Sequence, residues 1–64
     1  MRIDRVKLVT EMAKRNITQK RLAEISGISK TSISNVRNGK NCSDSTGFKI
    51  ADALNVPIEK ILEK

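Results

Sequence analysis

Sixty-four residues make one domain, and a lone cysteine, Cys42, with no histidine excludes an intrachain disulfide and argues against a zinc site as support for so small a core. Thirteen lysines and arginines against seven acids give a net charge of +6, which points to a polyanionic partner. No apolar run approaches the roughly 18 residues of a membrane span, and Arg2, Asp4, Arg5 and Lys7 interrupt the first residues, so neither a membrane segment nor a signal peptide is expected and the reading is a soluble, cytoplasmic protein.

The pattern predicts five helices. The first runs from an Asp4 N-cap to Arg15. Val6, Val9, Met12 and Ala13 form its apolar stripe, with Leu8 at the edge; Asn16 stops it and Ile17 turns back into the core. Thr18 caps the second helix, which continues to about Ser26 with Leu22 and Ala23 on its apolar face. Gln19, Lys20 and Arg21 face outward at its start, where the basic pair opposes the helix dipole; a docked phosphate would relieve that misfit. Gly27 supplies a tight left-handed turn and Ile28 re-enters the core. Ser29 caps the third helix, Lys30 to about Arg37, which buries Ile33 and Val36 and is stopped by Asn38-Gly39. Serine, threonine and asparagine are mediocre helix formers. A helix rich in them is held by packing, which marks its outer face, Lys30, Thr31, Ser32, Ser34 and Asn35, as functional.

Residues 40–44 form a loop, and Ser43 or Asp44 caps the fourth helix, which ends near Leu54 and turns Phe48, Ile50, Ala51 and Leu54 inward. Gly47 costs about 1 kcal/mol against alanine within it. It is expected to admit another backbone, either in the core or at the partner. Asn55 closes this helix and Pro57 opens a fifth, carrying Ile58, Ile61 and Leu62.

Residues 18–40 therefore read as two short helices around a tight turn, and the charge collects there. Between Lys14 and Lys40 stand seven basic residues and one acid, Glu24, while the rest of the chain is balanced. A basic, polar second helix is a device for the major groove of duplex DNA: Asn35 can pair bidentately with adenine, Lys30 can donate to guanine, and the Thr31 methyl can pack on thymine. Phe48 is the sole aromatic residue, so a stacking platform for single strands is excluded. Without histidine, a thiol pair or a phosphate-binding glycine loop, and with scattered carboxylates, the chain does not read as an enzyme, and no cofactor or metal is expected.

Thr18-Gln19, Leu22-Ala23, Gly27-Ile28-Ser29, Ser32-Ile33-Ser34 and Asn38-Gly39-Lys40, followed by Lys49-Ile50-Ala51, Ala53-Leu54 and Val56-Pro57-Ile58, make the chain resemble the Cro/C1 or XRE family of helix–turn–helix regulators over nearly its whole length. The resemblance implies an all-α, compact five-helix, lambda-repressor-like domain over residues 1–64, with the motif at about 18–38. It implies sequence-specific binding of double-stranded DNA by a transcriptional regulator, a repressor acting as a homodimer on a near-palindromic operator, in a bacterial or phage setting. The alternative is a DNA-binding antitoxin or phage-type control protein with a protein partner. Lys30, Thr31, Ser32 and Asn35 fall on the family's base-reading positions. Gln19 falls where relatives touch the DNA backbone and brace the recognition helix, and Asn38, Gly39 and Lys40 on a turn whose amides and side chains bind phosphate; Lys20 and Arg37 complete that set. Val56, Ile58, Ile61 and Leu62 form the expected dimer interface, shared with closure of the core. Two positions depart from the family: where many relatives pair a helix-1 arginine with a glutamate before the Asn-Gly turn, this chain has Met12 and Arg37, leaving Arg37 to meet either a phosphate or Glu11. The loop after Lys40 lacks the family's proline and holds Cys42, read as a small packing residue.

Overall fold

Side-chain caps start all four α-helices of the described residues. In the computed structural model, which describes residues 1–63, Asp4 Oδ1 accepts from the amides of Val6 (2.9 Å) and Lys7 (3.1 Å) and opens α1, Arg5–Lys14. Thr18 opens α2, Gln19–Ser26, Ser29 opens α3, Lys30–Arg37, and Ser43 opens α4, Asp44–Leu54, each accepting at 3.1 Å from the amide three residues on. Such a cap contributes about 1 kcal/mol. The exits are equally local: Asn16 (φ 54°), Gly27 (φ 74°), Gly39 (φ 87°) and Asn55 (φ 58°) all adopt the left-handed conformation. At Gly27 a β-carbon would meet no neighbour within 4 Å, so the glycine serves the backbone conformation alone. Lys64, the last residue of the expected domain, lies outside the described residues.

The expected fifth helix is corrected. Only a 3-10 turn forms, Ile58–Lys60, closed by Lys60 N donating to Pro57 O and Ile61 N to Ile58 O, both at 3.0 Å. The backbone beyond it is taken by the start of the chain. Ile3 and Leu62 form an antiparallel bridge, Asp4 N donates to Ile61 O (2.8 Å), and Glu63 N donates to Arg2 O (3.0 Å). Arg2 and Glu63 add an exposed ion pair at 3.3 Å. These cross-chain bonds compete with further helix in that segment.

Helix α2 packs against both α3 and α4, and α1 packs against α3. Ile3, Leu8, Met12, Leu22, Ile33, Val36, Ile50, Ala51, Leu54 and Ile61 make the core. On α1 the buried arc is Leu8, Glu11 and Met12, whereas Val6 is 68% exposed, Val9 41%, and Ala13 also faces solvent. The expected stripe is thus rotated, and the reason is a carboxylate in the buried arc. Glu11 is held there by Arg15 Nη1 at 2.8 Å and Lys14 Nζ at 3.3 Å. On α4, Gly47, Ile50, Ala51 and Leu54 take the inward positions, which leaves Phe48 half exposed, against expectation. Gly47 admits a side chain where another backbone was expected: a β-carbon there would run into the Met1 thioether.

The hydrogen bond from Arg15, aided by Lys14, holds the Glu11 carboxyl below its ordinary range against the opposing effect of burial. A carboxyl lowered on folding stabilises the fold fully above its unfolded pKa of about 4.3, and the contribution is lost as pH falls through the lower folded value. Glu11→Gln is therefore expected to melt below the parent protein near neutral pH, with the gap closing on acidification below about pH 4. Thermal melts of the two proteins across that range check it; a gap that stays constant with pH would contradict it.

Candidate nucleic-acid interface

The two buried residues of α3 orient the rest of it. Ile33 (0% exposed) and Val36 (1%) face the core, so Lys30 and Thr31 are exposed and Ser32, Ser34 and Asn35 are half-open to solvent. The Ser32 hydroxyl accepts from Ser29 Oγ at 3.0 Å, and its own proton remains available for donation. Among the described residues, the Asn35 side-chain amide has no protein partner. Ser32 and Asn35 also line a cleft of about 190 Å³ with Asn41, Ser43 and Thr46. Asn41 and Thr46 were not marked by the sequence, and Ser43 was marked only as a helix cap. The signal for them was weak, since a cleft between α3 and the start of α4 depends on how the helices cross.

The turn after α3 is closed on itself. The amide of Asn38 donates to Ser34 O and Asn35 O, that of Gly39 to Val36 O, and that of Lys40 to Asn35 O, all at 3.0–3.1 Å. In the free protein these amides satisfy the last carbonyls of α3. Gly39 has no other donor, so its role is conformational, whereas Asn38 and Lys40 are exposed and keep their side chains free. Cys42 is half-buried against the core and burial pushes its thiol up, away from the reactive thiolate.

Salt bridges sort the basic residues. Lys14 and Arg15 are drawn to Glu11, and Arg21 lies 3.7 Å from Glu24. Arg5, Lys7, Lys49 and Lys60 have no carboxylate partner among the described residues, and neither have Lys20, Lys30, Arg37 and Lys40; the last four gather around α3. They stand at the start of α2, the two ends of α3 and the turn beyond it. Arg37 meets neither Glu11 nor solvent with its whole guanidinium; Nη1 donates to Gln19 Oε1 at 2.6 Å. The apolar residues expected at a dimer interface divide. Ile61 is wholly buried inside one chain and closes its core, while Val56, Ile58 and Leu62 are half-buried on the core's edge.

A family model described as Helix-turn-helix matches residues 10–61. The chain belongs to the helix–turn–helix family, of the Cro/C1 or XRE type. The matched span runs from α1 through the 3-10 turn and contains every residue singled out above on α2, on α3 and in the following turn. A search of the curated proteins and a search of the solved structures returned no match. Helix–turn–helix proteins of this type are DNA-binding regulators and not enzymes. Among the described residues no helix of this helix–turn–helix domain is long and apolar enough to cross a membrane.

Proposed function

We propose that this protein is a sequence-specific transcriptional regulator, a repressor, that sets α3 in the major groove of double-stranded DNA. The observation that carries the reading is the uncovered outer side of α3 with three exposed lysines around it, Lys20, Lys30 and Lys40, none held by a carboxylate among the described residues. Lys30, Thr31, Ser32 and Asn35 read base edges, which direct readout requires to be polar and free. Gln19, Lys20, Asn38 and Lys40 hold the phosphate backbone on either side and set the register of α3.

One such helix spans only a few base pairs, and a regulator of this kind needs two, placed about one DNA turn apart. The pairing surface proposed is the half-buried edge of Val56, Ile58 and Leu62. The operator then has two-fold symmetry.

Selection of bound duplexes from a random pool, followed by a salt titration on the enriched sequence, tests this. A near-palindromic consensus is expected, and with about four phosphates neutralised per subunit the slope of log K against log salt is about −7. No enrichment, or binding indifferent to salt, would remove the reading.

A further inference from the structure

Gln19 and Arg37 are 18 residues apart on different helices, yet their side chains meet at 2.6 Å. Arg37 is half-buried, its Nε is shut off from solvent without a partner among the described residues, and it lines an open groove beside Val9, Met12 and Ala13. A guanidinium carries donors only. The atom of Gln19 that faces it must therefore be the amide oxygen, and Nε2 is turned the other way. There it lies 3.5 Å from the carbonyl of Lys30, the outer limit of a hydrogen bond, with its second proton unclaimed. An unrestrained side-chain amide can present either its oxygen or its nitrogen, and an oxygen set against a phosphate is repelled.

We propose that Arg37 is a positioning residue and not a phosphate ligand: it locks the Gln19 amide oxygen-inward, so that the Nε2 donors face the phosphate backbone beside α2. The short contact, the half-burial of Arg37 and the enclosed Nε all place its charge behind Gln19. An acidic residue at position 37 would reverse the lock, drawing Nε2 inward and turning the oxygen out. This inference rests on the DNA-binding reading, but the lock itself exists in the free protein.

Two readouts test it. In the free protein, the side-chain NH2 resonances of Gln19 are expected to move to the values of a solvated amide in Arg37→Met, and to return part-way in Arg37→Lys. On the enriched duplex, Gln19→Ala and Arg37→Met are each expected to lose about tenfold in affinity, and the double variant about tenfold as well, because both remove one interaction. The salt slope of Arg37→Met stays close to that of the parent. Additive losses of about a hundredfold in the double variant, with a slope reduced by about one per subunit, would make Arg37 a direct phosphate ligand and overturn the proposal. Thermal melts check that Arg37→Met folds; Arg37→Ala, which also carries no donor, replaces it in the cycle if it does not, with the same expectations. If the parent protein binds no duplex, the DNA-binding reading fails by itself. The resonances then decide the lock, and an unmoved Gln19 amide overturns it.

Discussion

Leu22→Ala is expected to lower the melting temperature by about 8–40 °C and to raise the unfolded fraction at 37 °C. Leu22 is fully enclosed and is the one wholly buried residue of α2, the helix that packs against both α3 and α4. Truncating such a leucine costs about 2–5 kcal/mol, the lost transfer energy plus the cavity left behind. A domain of this length has only about 3–10 kcal/mol to lose. The cavity would open where α2 supports the recognition helix, so DNA binding goes with the fold. Val6→Ala is the control: Val6 is 68% exposed and its truncation should leave the melting temperature within a few degrees. Circular dichroism melts of both variants check this, and a Leu22→Ala protein as stable as the parent would mean that α2 is not the keystone of the core.

Asn35→Ala and Lys40→Ala are expected to separate recognition from adhesion. The Asn35 amide is without a protein partner, and only the residue's backbone carbonyl is used by the turn, so alanine leaves the fold intact. On the enriched duplex the loss is about 1–3 kcal/mol, with relaxed preference at one base pair per half-site; on an unrelated duplex it is close to nothing. Lys40 is exposed and has no carboxylate partner among the described residues. Its removal should weaken both duplexes alike and reduce the salt slope by about one for each phosphate that is no longer neutralised. Titrations of both variants on both duplexes at two salt concentrations give the comparison. Equal losses on specific and unrelated DNA from both variants would contradict the division of roles along α3 and its turn.

Local chemistry was legible in the sequence, and long-range chemistry was not. Asp4, Thr18, Ser29 and Ser43 announce their helices because a cap is made within three residues, and Asn16, Gly27, Gly39 and Asn55 announce the exits because only the backbone conformation matters there. The outward face of α3 followed from Ile33 and Val36 alone. The stripe on α1 failed because Glu11 lies in the buried arc: its partners Lys14 and Arg15 are local, but which face of α1 is covered depends on how the helix packs against α3. Phe48 failed for a related reason: Gly47 occupies the inward register and Met1 fills the space beside it. The pairing of Ile3 with Leu62 spans the chain, and no helical periodicity reports it. Within the site, the sequence marked Gln19 and Arg37 separately as phosphate ligands. Their hydrogen bond to each other, and the amides of residues 38–40 closing on α3, required the helices to be in place.

Amide chemical-shift mapping of the protein against the enriched duplex bears most directly on the reading of α3 as the element that enters the major groove. Large shifts are expected at Lys30, Thr31, Ser32 and Asn35, with a second group at Gln19, Lys20, Asn38 and Lys40, and little change on the solvent side of α1. Shifts confined to the Val56–Leu62 edge, with residues 30–35 unmoved, would show that the duplex is held elsewhere and that α3 is not the reading head.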